Sequence, residues 1–306
     1  MPLTHDDGPT RTIQYQQPLS VKNDYIYLME NDGICLPDLT VILPTLNEAP
    51  NLTTLVPQLF AHLQGAVSVL KVLVVDDGST DDTKNVIIKL RSAHQELNMV
   101  HRENQNPSLP NSIQYGIQQC NTELIAWMDA DGSMQPEVLS NMIESWKTCS
   151  NNSNIVVIAS RFIPGGGMKG VNSNGTTSIL QFIRNIRKSN ERLFPVLASW
   201  CLNKVYYQLL RRYCHDSTSG FILGPRLLFN HVSLSGGHGA YFPGMLEQLR
   251  FIGAQVVEVP YIIQLRQHGT SKASGSLLHV FRSGLPYIYQ IMKISSKQLK
   301  ARFVSK

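Results

Sequence analysis

The chain has 306 residues, 42% hydrophobic and 16% charged, with a formal net charge of +5. That length supports one sizeable domain with a large core, and no apolar run approaches the roughly 18–20 residues a spanning helix needs. The five cysteines (Cys35, Cys120, Cys149, Cys201, Cys214) lack C-x-x-C spacing and read as free thiols of a reducing compartment.

In chain order, residues 1–38 carry no sustained period and read as an N-terminal extension, polar and acidic at its start, without a signal-peptide pattern. Leu39–Leu43 is strand-like and Asn51–Leu63 helical. Val69–Val75 is apolar and β-branched. Thr80–Leu90 reads as a helix with Asp81 and Asp82 in its first turn, where carboxylates suit the helix dipole. Asn98–His101 reads as a strand, Asn111–Cys120 as a helix, Leu124–Met128 as a strand, Pro136–Trp146 as a helix and Ile155–Ala159 as a strand. Buried strands alternating with helices predict a mostly parallel α/β sheet, whose ligands bind at the carboxyl ends of the strands.

Polar clusters fall at those ends: Asn47-Glu48 after the first strand, Asp76-Asp77-Gly78-Ser79 after the second, and Asp129-Ala130-Asp131-Gly132-Ser133 after the fourth. Two carboxylates one residue apart can hold a hard divalent cation against a diphosphate, because Mg²⁺ and Mn²⁺ take oxygen ligands and share them with substrate phosphates. A lone D-x-D is weak evidence; three acid-bearing strand ends on one rim are not.

Past Arg161 the pattern changes. Gly165–Thr177 reads as a flexible loop, followed by two helices split at Pro195. In the second, Leu202, Val205, Tyr206 and Leu209 share a face, which suits either packing on the core or rest on a membrane surface. Met245–Ile252 reads as a helix, Val256–Tyr261 as a strand, Gln267–Gly275 as a polar loop, and Leu277–Ile294 as an amphipathic helix interrupted by Pro286. Arg184–Arg212 holds seven basic residues against one acid, and Lys293–Lys306 five against none. Such a bias suits an anionic partner, such as a membrane or a phosphorylated lipid. Neither a nucleic-acid module nor an interleaved aromatic-basic pattern accompanies it.

Pro44-Thr45-Leu46-Asn47-Glu48, Val74-Val75-Asp76-Asp77-Gly78-Ser79, Met128-Asp129-Ala130-Asp131-Gly132 and Ala159-Ser160-Arg161-Phe162 resemble, in order and spacing, the inverting family 2 glycosyltransferases of the GT-A fold. Asp216-Ser217-Thr218-Ser219-Gly220-Phe221 and Val257–Tyr261 with Arg266–Lys272 look like the dolichol-phosphate (polyprenol-phosphate) mannosyltransferase branch. The resemblance covers about residues 38–290. It implies a GT-A domain over 39–290, with a basic tail at 291–306.

The resemblance implies that Pro44, Leu46, Glu48, Val75, Asp76 and Asp77 bind the nucleoside. Asp76 read from the sequence alone is equally a satisfied strand-end cap. Asp129, Ala130 and Asp131 would meet the diphosphate, with Mg²⁺ or Mn²⁺ on Asp129, Asp131 and Ser133. Arg266 and Lys272 would reach phosphate oxygens, and Arg161 and Ser199 the acceptor phosphate; Asp131, Arg161, Arg266 and Lys272 make up the implied catalytic set. Three positions depart from the family pattern: Ser133 where Gln is frequent, Pro195 where Arg is usual (Arg192 being the nearest substitute), and Ser108-Leu109-Pro110 in place of Gly-Leu-Gly.

The implied reaction moves mannose from GDP-mannose to dolichyl or polyprenyl phosphate with inversion. The implied setting is the cytosolic face of a membrane (endoplasmic reticulum in a eukaryote, plasma membrane in a prokaryote), held peripherally or through a small membrane subunit. Competing readings are glucosyl or other sugar transfer from a UDP- or GDP-sugar, transfer to a soluble acceptor, and a non-catalytic nucleotide-binding homologue.

Overall fold

Leu39, Val41 and Leu43 alternate with Thr40 and Ile42, and all five are buried. A strand buried on both faces needs a helical layer on each side, and the fold supplies two. The computed structural model describes residues 36–102, 106–149, 152–168, 171–172, 193–264 and 277–304. Its main sheet contains β1 (Leu39–Thr45), β2 (Leu70–Asp76), β3 (Leu97–His101), β4 (Leu124–Trp127), β5 (Ile155–Ser160), β8 (Ile222–Pro225) and β9 (Gln255–Pro260), in the order β3-β2-β1-β4-β8-β5-β9. Every neighbouring pair is parallel except those that β8 makes with β4 and β5.

One face of the sheet (Leu39, Val41, Leu43, Val72, Val74) packs on α1 (Ala49–Leu63), α2 (Thr83–Arg91) and α4 (Pro136–Lys147). The opposite face (Ile42, Leu73, Val75, Ile158) packs on α3 (Leu109–Gln119), α5 (Leu193–Leu209), α6 (Arg226–Asn230), α7 (Tyr241–Phe251) and α8 (Leu277–Val304). A small second sheet joins β6 (Gly167–Met168) to β7 (Val171–Asn172) and β10 (Ile262–Ile263). Cys120, Cys149, Cys201 and Cys214 are free.

Gly116 is where α3 touches the sheet: a Cβ built there would lie 2.7 Å from Ile42 Cγ2 and 3.1 Å from Val75 Cγ2. Those methyls sit on β-branched residues inside strands and cannot swing away. Alanine would gain about 1 kcal/mol of helix propensity, but overpacking a tight contact costs about 1–3 kcal/mol. Gly116→Ala is therefore expected to lower the denaturant midpoint, by about 1 kcal/mol net; a raised midpoint would mean the contact is loose.

Several expectations are corrected by the structure. The stretch after Arg161 contains β6 and β7 rather than only a loop. Pro195 lies inside α5, which is described from Leu193, and the helix expected before it falls outside the described residues. Of the face Leu202, Val205, Tyr206 and Leu209, Tyr206 is fully buried and Leu202 and Leu209 pack against the core, while Val205 is 48% exposed, so α5 turns three of the four to the core. The terminal helix is not interrupted at Pro286 and runs to Val304, past the Ile294 expected as its end. Helix α2 starts at Thr83, leaving Asp81 and Asp82 just outside it. Strand β8 had no signal in the sequence reading. No described helix is long and apolar enough to cross a membrane.

Candidate active site

The parallel register pairs Thr45 with Asp76 and Ile42 with Trp127. Strands β2, β1 and β4 are adjacent, so their carboxyl ends form one rim, as the sequence predicted. Strand β5 runs the same way and delivers Arg161. Antiparallel β8 begins at that edge, which brings Asp216–Phe221 to it as well.

At one end of the rim, Asn47 adopts the left-handed region with φ of 59°. Its side-chain oxygen accepts hydrogen bonds from the Thr80 N–H at 2.7 Å and the Asp81 N–H at 3.3 Å, while its own N–H donates to Ser79 Oγ at 2.8 Å. Asn47 thus clips the loop after β1 to the loop after β2. Asp81 adds a second clip, accepting from the Ala49 and Thr83 N–H groups at 3.1 Å each. These N–H groups belong to the first turns of α1 and α2, which need such partners. Glu48 is half-buried and accepts from Asn51 Nδ2 at 2.6 Å. Pro44 and Leu46 are half-buried beside it, and Val75 is buried.

The two acids at the end of β2 are engaged by residues at the end of β3. Asp76 accepts from the Ser79 N–H at 3.2 Å and pairs with His101 Nδ1 at 2.6 Å, so the strand-end cap is its structural role. Asp77 forms a buried ion pair with Arg102 and accepts from the Ser108 N–H. Arg102 in turn donates to Ser112 Oγ at 3.1 Å. Each carboxylate has lone pairs beyond these bonds. The Ser108-Leu109-Pro110 departure falls at the start of α3, with Pro110 in the first turn. Proline is compatible with that position, and the Ser108 contact to Asp77 uses the backbone N–H, which any residue but proline could offer.

Past β4 the chain turns at Gly132, whose φ of +75° favours glycine. Asp129 is half-buried, Ala130 and Asp131 are buried, and Asp131 Oδ1 accepts from the Ser133 N–H at 2.9 Å. The Ser133 carbonyl accepts from the Gln264 N–H at 3.0 Å, tying the turn to the segment after β10. Among the described residues no group of three or more His, Cys, Asp or Glu side chains could hold a metal. Two carboxylates on a turn fixed by its own backbone nevertheless fit a hard cation whose remaining ligands are substrate oxygens and water.

Arg161 lies at the end of β5. Its Nε donates to Asp216 Oδ2 and its Nη2 to Asp216 Oδ1, both at 2.7 Å, and its backbone N–H donates to Oδ2 at 2.9 Å. Asp216 is fully buried. Burial opposes the guanidinium charge, but the Asp216 carboxylate outweighs it and holds the proton more tightly than in water. Arg161 is thus a neutralised, bidentate fork. Its Nη2 also donates to Thr218 Oγ1 at 2.9 Å. Asn203 Nδ2 donates to the same oxygen at 2.8 Å and to the Ser199 carbonyl at 2.9 Å, which links Ser199 to Arg161 through Asn203 and Thr218. Glu258 on β9 supports the turn before β8: it accepts from the His215 N–H at 3.0 Å and the Asp216 N–H at 3.2 Å, and pairs with His215 Nδ1 at 2.6 Å. Arg266, Lys272 and Arg192 lie outside the described residues.

Sequence reasoning missed the partners: His101, Arg102, Asn203 and Glu258. All four reach the rim from elements distant in sequence, and no local spacing could have announced them.

A family model described as glycosyl transferase family 2 matches residues 40–215. Among curated proteins, the chain is similar to a dolichol-phosphate mannosyltransferase of Pyrococcus furiosus, 27% identical over 256 residues, covering 83% of this chain and 63% of that protein. It therefore spans less than two thirds of that relative's length. It is also similar to a polyprenol monophosphomannose synthase of Mycolicibacterium smegmatis, 28% identical over 243 residues, covering 77% of this chain and 81% of that protein. Among solved structures, a glucosyl-3-phosphoglycerate synthase of Mycobacterium tuberculosis, crystallised with Mn²⁺, uridine diphosphate and glucosyl-3-phosphoglycerate, superposes with a TM-score of 0.56 at 16% identity, covering 84% of this chain and 80% of that one.

Proposed function

The chain belongs to glycosyl transferase family 2 and has the GT-A fold, and from that premise we propose that it transfers mannose from GDP-mannose to a dolichyl or polyprenyl phosphate, with inversion. The observation that carries this reading is the meeting, on one rim, of an acid pair suited to a metal-bound diphosphate and an arginine suited to a second phosphate. One segment joins them: the Tyr261 N–H donates to the Ser160 carbonyl beside Arg161 at 3.1 Å, and three residues on the Gln264 N–H donates to the Ser133 carbonyl of the acid turn at 3.0 Å. The names of the mannosyltransferase relatives support the sugar and the acceptor class.

Glu48, Asp76 and Asp77 would receive the nucleoside, with Pro44, Leu46 and Val75 lining it. Asp129, Ala130 and Asp131 would meet the diphosphate, and Arg266 and Lys272 would close on its oxygens. Mg²⁺ or Mn²⁺ on Asp129 and Asp131, with Ser133 beside them, would supply Lewis-acid stabilisation of the leaving diphosphate. The acceptor phosphate would dock at Arg161 and Ser199 and attack the anomeric carbon from the face opposite the leaving group. A phosphate monoester is mostly ionised near neutral pH, its second pKa being about 6. No general base is then required, whereas a sugar hydroxyl as nucleophile would need one.

The acceptor lipid calls for membrane contact, and helix α8 offers a face for it. Leu285, Ile288, Tyr289 and Met292, at i, i+3, i+4 and i+7, are 47–63% exposed. The helix carries Arg282, Lys293, Lys297, Lys300 and Arg302 and no acidic residue. An apolar stripe on a basic helix suits the interface of an anionic membrane, here the cytosolic face, where nucleotide sugars are made. In this reading residues 39–290 are the catalytic domain, residues 1–38 lie outside it, and 291–306 prolong the membrane-facing helix.

Transfer of radiolabelled sugar to a short polyprenyl phosphate tests the proposal, with GDP-mannose and UDP-glucose compared with Mg²⁺, Mn²⁺ or EDTA. Metal-dependent, lipid-extractable product from GDP-mannose alone is expected. Product from UDP-glucose instead would change the donor assignment. Nucleotide binding without transfer from either donor would defeat the lipid-phosphate reading.

A further inference from the structure

Two buried side-chain atoms beside Arg161, Tyr261 Oη and Asn203 Oδ1, have no hydrogen-bond partner in the structure. Buried polar groups are nearly always paired, so such atoms call for an explanation, and a missing ligand is one. The rest of each residue is held firmly. Tyr261 follows β9; its N–H donates to the Ser160 carbonyl at 3.1 Å and its carbonyl accepts from the Gly167 N–H at 3.0 Å. Its ring meets Phe221 edge-on, with centroids 6.0 Å apart. The neighbouring Ser219 hydroxyl donates to the Ala159 carbonyl and accepts from the Phe221 N–H at 3.2 Å, and makes no hydrogen bond of good geometry with the Tyr261 hydroxyl. Asn203 is oriented by its bonds: the Ser199 carbonyl can only accept, so the Asn203 NH₂ group must face it, and Oδ1 is left over.

The chemistry of the two atoms narrows the ligand. An amide oxygen only accepts, so its partner must donate. A doubly ionised phosphate has no proton to give, whereas a sugar hydroxyl does. A phenol can donate or accept, and suits a second sugar hydroxyl. The position agrees, because Tyr261 stands on the segment that bonds Ser160 beside Arg161 at one end and, through Gln264, the Ser133 carbonyl of the Asp131 turn at the other, while Asn203 shares Thr218 Oγ1 with Arg161. The group that lies between diphosphate and acceptor in an in-line transfer is the hexose.

We propose that Tyr261 and Asn203 form a hydroxyl-reading subsite for the transferred hexose, which makes them specificity residues; this rests on the glycosyl-transfer reading above. The test is a cycle between Tyr261→Phe and donors lacking one hydroxyl, using GDP-mannose and its 2-, 3-, 4- and 6-deoxy analogues. Donor affinity is read by calorimetry and kcat/KM by transfer. The variant keeps the ring and its packing and removes an unpaired hydroxyl, so its Tm should equal or exceed that of the unmodified protein. With the intact donor a loss of about 10- to 100-fold is expected, the size of an unpaired buried hydrogen-bonding group. With one deoxy donor the two proteins should become equal. Asn203→Ala should single out a different deoxy donor. Equal behaviour of Tyr261→Phe and the unmodified protein on every donor, or the same loss on every donor, would overturn the proposal. Absence of transfer by the unmodified protein would instead overturn the glycosyl-transfer reading, and the binding cycle would still judge the subsite.

Discussion

Asp131→Asn is expected to lower sugar transfer by about 10²- to 10³-fold, the cost of removing one preorganised charge-stabilising group at a reacting centre, while leaving the fold intact. Asparagine keeps an oxygen that can accept from the Ser133 N–H, the contact that shapes the turn. What it loses is the negative charge that would hold a divalent cation. Asp131→Ala removes both and should be as inactive, and less stable as well, since Asp131 is buried and the Ser133 N–H would lose its partner. The measurement is turnover against Mn²⁺ concentration, beside a denaturant melt. A higher Mn²⁺ requirement at unchanged stability identifies a metal ligand. Undiminished transfer by Asp131→Asn would place the metal elsewhere, or remove it from the reaction.

The rim was legible in the sequence because its strands are. Leu39–Leu43, Val69–Val75 and Leu124–Met128 are apolar runs that stop at polar residues, and a parallel sheet sends such stops to one edge. Strand β8 was not legible. It is the four residues Ile222–Pro225, contains Gly224, and runs against its neighbours, so it lacks length, propensity and the helix that introduces a parallel strand. The terminal helix was read as interrupted at Pro286 because proline costs a helix a backbone bond. The helix nevertheless continues past it, with the Pro286 ring beside Gly237 and Tyr287 held through its carbonyl by the Tyr206 hydroxyl at 2.8 Å. Tertiary contacts there outweigh local propensity.

The candidate site was half legible for a related reason. Asp129 and Asp131 announce themselves by spacing along one strand end. Arg161 does not reveal that its charge is already matched, because Asp216 stands 55 positions away in the chain. Both residues lay inside recognised segments, yet only the fold pairs them. The same applies to Asp77 and Arg102, joined across β2 and β3.

Asp216→Ala is expected to destabilise the protein by about 3–5 kcal/mol, because breaking a buried ion pair strands the surviving charge. Arg161 has 8% of its surface exposed and would keep its buried guanidinium charge without the carboxylate that balances it, with Thr218 Oγ1 and the Phe162 ring still beside it. The paired replacement Arg161→Met with Asp216→Leu removes both charges at similar volume, and it should recover most of that loss, since apolar substitutes for buried ion pairs are often neutral. Its activity is the informative readout. If the guanidinium contacts the acceptor phosphate, the double variant will fold and melt near the unmodified protein yet transfer poorly, with the defect in the dependence on lipid phosphate rather than on nucleotide sugar. Arg161→Lys separates charge from shape: lysine keeps the charge but cannot reproduce the two-bond fork to Asp216, so a rigid anchor predicts a large acceptor defect and a simple charge a small one. A double variant with normal stability and normal acceptor dependence would assign the pair to the scaffold alone. The acceptor phosphate would then fall to Arg266 and Lys272, the cations the sequence places after β10.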